Sequence, residues 1–437
     1  MKAMKVTMAV AASALLLAAP AMAFHDGGVA KCEGCHTMHN SKDGAPMGGG
    51  GKQTYANGTQ FQTAGYLLQG NGSTSDACLV CHQGDTDTGP SSYHISTQKE
   101  DMDPAAGKFP LQMGPGGDFG WINLNTTTGG AAYKKGHNIS APTHGYTADA
   151  RFTTTSPGGT YPVALFNCAS CHDPHGRYRY VSDGATYAAE SMSGAPIVES
   201  SSYAAGVIPA GEALGVFRIL GGAGYSPKSV NGGHSFTASA PVAVAEGTYN
   251  GSEATDQKVV VYGSNMSEWC ANCHQDLYEN TYVSGETGHT HPAANSEKLD
   301  SFIVTAYNNY VSSGNVTGTG TGAAKGYTTL VPFETGATMA DRAALEADLA
   351  AGGPTAAATS NVSCLSCHRA HASGFESMLR YDISDAFMTY DNAGVTVYSK
   401  AVDANVNLLK QRAYYERPAS SFVAYQRALC NKCHAKD

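Results

Sequence analysis

The chain has 437 residues, and its 36 acidic and 27 basic side chains give a formal net charge of −9. Nucleic-acid binding calls for a basic patch, so this composition speaks against nucleic acid as a partner. The 51 glycines and 18 prolines are scattered along the chain, which argues against long helices and strands. Something other than regular secondary structure must therefore supply the core.

The first 23 residues have the features of a secretory signal peptide. Lys2 and Lys5 precede an apolar run over residues 8–19, and residues 21–23 form an A-x-A cleavage site. The run is shorter than the roughly 20 residues that a membrane-spanning helix needs, and no later segment is apolar enough to cross a bilayer. We therefore expect an exported, soluble mature protein with a single domain over residues 24–437.

All twelve cysteines lie in six C-x-x-C-H motifs, which is the attachment signature of c-type haem. The two thiols of such a motif add to the haem vinyl groups, and the adjacent histidine binds the iron. The expected attachment residues are Cys32, Cys35, Cys78, Cys81, Cys168, Cys171, Cys270, Cys273, Cys364, Cys367, Cys430 and Cys433. The expected proximal ligands are His36, His82, His172, His274, His368 and His434.

Other uses of paired cysteines fit the motifs less well. The motifs begin 46, 90, 102, 94 and 66 residues apart, whereas zinc ribbons place their pairs about 15–20 residues apart. Structural disulfides are common in secreted proteins, but they do not require the histidine. We therefore expect six covalently attached haems c, and these apolar discs would themselves form much of the core.

Ten of the 16 histidines lie outside the proximal positions, which is more than a second imidazole on every iron requires. Three motifs continue as C-x-x-C-H-x-x-H and add His39, His175 and His371. Residues i and i+3 lie on one side of a helical turn, so such a histidine cannot reach the far face of its own haem. We expect it to bind the iron of a different haem.

The full set of expected distal ligands is His39, His94, His137, His175, His291 and His371, with His25 as a further candidate. By contrast, His144, His234 and His289 lie in stretches rich in glycine, serine and threonine and are interpreted as ordinary histidines. Methionine is the competing distal ligand, but the histidine surplus favours two imidazoles on each iron, which lowers the reduction potential.

Three segments have helical patterns. Residues 295–314 carry Leu299, Phe302, Ile303 and Tyr307 on one face, with a cap expected near Asn295 or Ser296. Residues 339–353 read as a helix that ends at a glycine pair, and residues 419–434 as a helix that carries the last motif.

Two functions are open at this point. One is an electron carrier, and the other is a multihaem reductase of nitrite or hydroxylamine, which needs an open iron position for its substrate and often has an altered motif that ends in lysine. All six motifs here end in histidine, and enough further histidines exist to close every site. The sequence therefore favours an electron-transfer protein over an enzyme.

Long stretches of the chain resemble the outer-surface hexahaem c-type cytochromes of metal-reducing bacteria, a family that polymerises into extracellular nanowires. They include FHDGGVAKCEGCHTMHNS, PGGDFGW, CASCHDPHG and SNVSCLSCHRAHASGFESM. The resemblance implies a multihaem cytochrome c fold of mostly coil and turn, with a few short helices and minimal strand, wrapped around a continuous chain of six haems. It implies electron transfer to external acceptors such as metal oxides, with other redox cytochromes as partners. It also implies a head-to-tail filament, in which His39 binds the neighbour's fifth haem, attached at Cys364 and Cys367.

Overall fold

The computed structural model describes most of the chain beyond residue 72. The described residues are 35–36, 41–42, 45–46, 52–54, 60–62, 73–84, 93–124, 135–149, 151–163, 166–227, 234–245, 253, 259–278, 292–312, 330–401 and 403–434. The expected signal peptide lies outside these ranges, as do Cys32, His25, His39 and His291.

Regular elements are short throughout the described ranges. The helices are α1 (Thr74–His82), α2 (Gly120–Asn123), α3 (Met266–Tyr278), α4 (Ser301–Ser312), α5 (Arg342–Ala350), α6 (Cys364–Cys367) and α7 (Ala404–Ala413). The strands are β1 (Ser41–Lys42), β2 (Ala45–Pro46), β3 (Lys52–Thr54), β4 (Gln60–Gln62), β5 (Arg179–Val181), β6 (Ile197–Ser200), β7 (Ala213–Gly215), β8 (Ala243–Ala245), β9 (Val260–Tyr262), β10 (Thr389–Asn392) and β11 (Val395–Tyr398). Within these ranges, no helix has the length and apolar character needed to cross a bilayer.

The strands form small local sheets. Four antiparallel pairs join β1 to β2, β3 to β4, β8 to β9 and β10 to β11. In the three-stranded sheet, β7 lies in the centre, antiparallel to β5 and parallel to β6. Most of the remaining backbone is held by isolated bridges and turns, as expected for a chain that glycine and proline interrupt so often.

Two apolar clusters form the core. The first contains Trp121 and Tyr414, and Cys168, Cys367 and Cys433 pack against it. The second is built around β7, β8 and β9, and Cys171 and Cys273 pack against it. Because Cys168 and Cys171 belong to one motif, the third motif lies where the two clusters meet.

The helix predicted over 295–314 is present as α4, but its expected boundary and buried face are partly wrong. Residues before Ser301 pair with the segment that leads into the fifth motif, because Lys298 forms a bridge with Asn361. The helix therefore starts later than Asn295 or Ser296. Tyr307 is buried as expected, whereas Phe302 is 56% exposed.

The other two predicted helices have opposite outcomes. Residues 339–353 form a 3-10 turn followed by α5, which is rich in alanine and leucine and ends before the glycine pair, as predicted. Residues 419–434 do not form the predicted helix, and the last motif lies on the 3-10 turn Leu429–Lys432. Tyr425 has a left-handed backbone (φ 61°), and the amide of Ala428 donates to the Ala386 carbonyl, so this segment bonds to a neighbouring one.

Candidate haem-attachment site

Capped helical turns present the cysteines of the described motifs. In α1, the Ser73 hydroxyl accepts a hydrogen bond from the Asp76 amide, and the Asp76 carboxylate accepts one from the Ser73 amide. The third and fifth motifs use the serine between their cysteines, Ser170 and Ser366, in the same kind of box. Such boxes satisfy amides that a helix start leaves without partners, so they hold both thiols of a motif on one short turn. None of the described cysteines is joined to another in a disulfide bond.

Backbone carbonyls fix the orientation of the described proximal histidines. In four motifs the Nδ1 atom hydrogen-bonds to the carbonyl oxygen of a residue outside the motif. These pairs are His82 with Tyr93 (2.8 Å), His172 with Arg218 (2.8 Å), His274 with Pro157 (2.7 Å) and His368 with Ser377 (2.8 Å). Since a carbonyl only accepts, Nδ1 carries the proton and Nε2 keeps the lone pair that a metal needs.

Two of these carbonyls lie in left-handed backbone. Arg218 and Ile219 have φ of 53° and 48°, and Ser377 and Met378 have φ of 55° and 60°. Non-glycine residues rarely adopt this conformation, and it persists where the surroundings require it. In both turns the second carbonyl also accepts from the amide that follows the proximal histidine, over 2.7 Å and 2.8 Å. The third and fifth motifs therefore share one local design.

His137 and His274 face each other in the interior. Their ring centroids are 6.1 Å apart and their planes are 29° from parallel. The Nδ1 of His137 bonds to the Ala370 carbonyl over 2.6 Å, so both rings direct Nδ1 to backbone. Two imidazoles that share one metal ion, each through a nitrogen about 2 Å away, have ring centres about 6 Å apart. Burial lowers the pKa of His137 to about 4, which leaves the imidazole neutral.

A second imidazole pair joins the third and fifth motifs. The ring centroids of His371 and His172 are 6.3 Å apart. Phe119 stacks on His371 at 4.8 Å, and the amide of His371 donates to the Gly116 carbonyl over 2.7 Å. Burial lowers the pKa of His371 to about 3. This separation also fits a shared iron.

The helical-turn argument for the second histidine is wrong for the fifth motif. α6 ends at Cys367, and His368 has extended backbone (φ −108°, ψ 157°). His368 and His371 therefore do not share a helical face. The chain leaves α6 in an extended conformation at His368 and brings His371 next to His172 of the third motif, so the position of His371 agrees with the prediction that it binds a different haem.

Other candidate histidines lie in more varied surroundings. His94 lies against Gly84, where a Cβ atom would be 2.3 Å from the imidazole, and its ring contacts Tyr93 at 4.7 Å. His175 is exposed, and its amide donates to Asp173 over 3.2 Å. The Nδ1 of His144 is 3.1 Å from the Asp76 carboxylate, and the Nε2 of His234 is 2.7 Å from the Asn272 carbonyl. The last two histidines therefore have structural partners of their own.

The motifs follow one another in space in the same order as in sequence. Thiols of successive motifs lie near one another: Cys78 lies near Cys35 and Cys168, Cys273 near Cys171, Cys270 near Cys364, and Cys367 near Cys430. Each pair belongs to two consecutive motifs. C-x-x-C-H motifs that lie near one another in sequence order, with imidazole pairs between some of them, are the pattern of a multihaem c-type cytochrome.

Comparison with known proteins agrees with this class. No family model matches the chain. The chain is 50% identical to C-type cytochrome OmcS of Geobacter sulfurreducens over 100% of both sequences. It is also similar to the cryo-EM structure of OmcS nanowires (47% identity, TM-score 0.77) and to an outer membrane cytochrome S filament (46%, 0.75), both from that organism. Each of these matches covers 95% of this chain and 100% of the other.

The chain therefore belongs to the OmcS family of c-type cytochromes. The expected fold class is confirmed, as are covalently attached haem c and electron transfer, while the alternative of a reductase enzyme finds no support.

Sequence reasoning missed the residues that orient the ligands. Gly116, Gly117 and Phe119 pack around His371, and they belong to the stretch PGGDFGW, which contains neither cysteine nor histidine. A Cβ on Gly117, whose φ is +89°, would be 1.8 Å from the Ala372 carbonyl oxygen. The sequence did contain one signal for this site. A glycine pair shortly before an aromatic residue, outside the predicted helices, indicates a close approach of the backbone to another group.

Proposed function

We propose that this protein carries electrons outside the cell along six covalently attached haems, as a filament built head to tail from copies of the chain. The observation that carries the proposal is the order of the motifs in space, because the thiols of each motif lie near those of the next motif in the sequence. Haem iron changes reversibly between its ferric and ferrous states, and a line of closely placed irons passes an electron from one end to the other.

The chain's own side chains close both faces of each iron. The twelve motif cysteines hold the haems, and the six motif histidines are the proximal ligands. The distances support His137 as the partner of His274 on the fourth haem and His371 as the partner of His172 on the third. His94, next to the second motif, is assigned to the second haem. Closed faces leave no position for a substrate.

The remaining ligands follow from a rule of two motifs: the second histidine of a C-x-x-C-H-x-x-H motif binds the haem that is attached two motifs earlier in the sequence. The second histidine of the fifth motif, His371, lies at the third motif. By the same step, His175 of the third motif serves the first haem. His39 of the first motif would need a motif two places earlier, which only another protomer has, and the fifth haem is the one that then lacks a ligand. His291 is left for the sixth haem, with His25 as the reserve.

Secretion and assembly complete the proposal. Residues 1–23 act as the signal peptide, and residues 24–437 form one hexahaem domain. The relatives are described as nanowires and as an outer membrane cytochrome filament, which supports the same assembly here. The external acceptors are metal oxides or other redox cytochromes.

Three measurements on the purified native protein test the function. Electron microscopy should show filaments, and intact mass should give six haems on a chain that starts at Phe24. Carbon monoxide added to the reduced protein should bind little, because every iron has two protein ligands. Monomers only, fewer than six haems, or extensive carbon monoxide binding would contradict the corresponding part of the proposal.

A further inference from the structure

Two contacts between consecutive motifs are built in the same way. α1, which carries the second motif, packs on the turn Cys168–Ser170 of the third, and α3, which carries the fourth motif, packs on α6 of the fifth. At the first contact, the Ser75 hydroxyl accepts a hydrogen bond from the Cys168 amide over 3.1 Å. At the second contact, the Ser267 hydroxyl accepts one from the Cys364 amide, also over 3.1 Å.

The sequence around the two serines repeats as well. Each serine is the second residue of its helix and lies three residues before the first cysteine, in TSDACLVCH and MSEWCANCH. An acidic residue follows each one and accepts from the amide of a distant loop, Asp76 from Thr143 over 3.0 Å and Glu268 from Asn295 over 2.7 Å. Motifs two and three, and motifs four and five, are therefore two copies of one structural unit.

The serine bond lies where a helix start needs an acceptor. Cys168 and Cys364 are the first residues of their turns, and the amides there have no partner within the turn. Ser75 and Ser267 are fully buried, so water does not replace the hydroxyl. Removal of either hydroxyl leaves a buried amide that must find another acceptor by movement of one motif against the other.

The same contacts bring the haem-linked sulfur atoms together. The thiols of Cys78 and Cys168 lie close to each other, as do those of Cys270 and Cys364. In the mature protein these sulfurs are thioethers joined to haem. A shift at either serine bond therefore moves one haem relative to the next.

We propose that Ser75 and Ser267 are positioning residues, which fix the second haem against the third and the fourth against the fifth, and so govern electron transfer across these two junctions. The proposal rests on the hexahaem function proposed above. It assigns the serines no contact with iron and no role in attachment.

Soret-region circular dichroism of the haem-loaded protein tests this directly. Neighbouring haems couple, and the sign and amplitude of the coupled signal depend on their relative orientation. Ser75→Ala and Ser267→Ala should each remove part of the coupled signal and slow electron transfer through the chain, and the double variant should lose more. Ser75→Thr keeps the hydroxyl and should restore the signal. An unchanged spectrum in the double alanine variant would overturn the proposal.

Ser182→Ala is the matched control. Ser182 is also a buried serine, but its hydroxyl accepts a hydrogen bond from the Gly184 amide over 2.9 Å and donates to the Ile208 carbonyl over 2.6 Å, and neither partner belongs to a motif. This variant should lower thermal stability and leave the coupled signal unchanged; an equal spectral change in Ser182→Ala and Ser75→Ala would mean that the signal responds to the loss of any buried serine hydroxyl, and this would overturn the proposal. Intact mass separates the two hypotheses, because fewer than six haems in the native protein contradicts the proposed function, whereas six haems with unaltered spectra in the variants contradicts only the serine role. If Ser75→Ala loses haem during maturation, Ser267→Ala decides at the other junction.

Discussion

His371, the second histidine of the fifth motif, lies beside His172 of the third, with their ring centroids 6.3 Å apart. The short segment from His368 to His371 therefore touches three attachment sites. His368 belongs to the fifth motif, the Ala370 carbonyl accepts from His137 beside the fourth, and His371 reaches the third. A substitution in this segment should therefore alter the iron ligation of more than one haem, which makes it the most informative place for substitutions.

Replacement of His371 should open one iron and leave all haems attached. His371→Ala touches no C-x-x-C-H motif, so intact mass should still give six haems. One iron in about six should become high-spin and bind carbon monoxide, because it has lost its second imidazole. Electron paramagnetic resonance and the optical spectrum report the spin state.

His234→Ala is the control for that substitution. His234 is also a partly buried histidine, but its Nε2 already bonds to the Asn272 carbonyl over 2.7 Å. It should leave every iron low-spin. Wholly low-spin haem in His371→Ala would show that another residue closes the third haem.

A methyl group at Gly117 should have the same spectral effect as loss of His371. The added Cβ would lie 1.8 Å from the Ala372 carbonyl, directly after His371, so the segment must move. We expect partial high-spin haem and a fall in melting temperature in Gly117→Ala. Gly211 has nearly the same φ, +85° against +89°, but nothing lies within 4 Å of its Cβ position.

Gly211→Ala therefore measures the cost of placing alanine in left-handed backbone without the steric contact that is present at Gly117. It should lower stability by only about 1 kcal/mol, the usual penalty for alanine in left-handed backbone, with an unaltered spectrum. Equal effects of the two substitutions would mean that close approach at Gly117 is unimportant.

Glu334 should make stability depend on pH between about 4.5 and 8. Its carboxyl group is fully buried, accepts from the Met266 amide over 2.7 Å and from the Asn361 side chain over 2.7 Å, and burial raises its pKa to about 8. The folded state therefore binds a proton more readily than the unfolded state. Stability from this group is present at low pH and is lost as pH rises from the unfolded pKa of 4.5 toward 8.

Glu334→Gln removes that titration and keeps an acceptor in place. Between pH 5 and 8 the unfolding free energy of the native chain should fall, relative to that of the variant, by an amount on the order of a few kcal/mol. The melting temperature should fall with it. Thermal melts followed in the haem absorption bands provide the comparison. Parallel pH profiles for the two proteins would rule out a buried, proton-binding Glu334.

The sequence predicted the chemistry better than it predicted the scaffold. Six C-x-x-C-H motifs specify attachment without any knowledge of the fold, because the spacing of sulfur and nitrogen is itself the signal. The acceptors for the proximal histidines could not be predicted. Tyr93, Pro157 and Ser377 contribute only a backbone carbonyl, which every residue has and which the sequence therefore does not reveal. The predicted helix over 419–434 failed for a related reason: the Ala428 amide donates to the Ala386 carbonyl and the Gln426 carbonyl accepts from the Met388 amide, so pairing across the fold overrode local propensity.

The contacts of Ser75 and Ser267 with the following motifs could be predicted only in part. Ser75 and Ser267 stand in matching positions before a motif, so their repetition is visible in the sequence, but a lone serine in a helix has many uses. Only the structure shows that both hydroxyls meet the first cysteine of the following motif.

Replacement of His39 should separate haem attachment from filament assembly. His39 lies outside the described residues, and its role rests on the rule of two motifs that His371 and His172 support. A head-to-tail contact does not close on itself, so one iron–imidazole bond at each interface would both extend the fibre and keep the haem line continuous between protomers.

His39→Ala should retain six haems by intact mass and leave one iron per chain without its second ligand. Filaments should become short or disappear in electron micrographs, while His371→Ala, which opens a haem within the chain, should still polymerise. Normal filaments with wholly low-spin haem in His39→Ala would transfer the role to another histidine, and His25→Ala would then be the variant to compare.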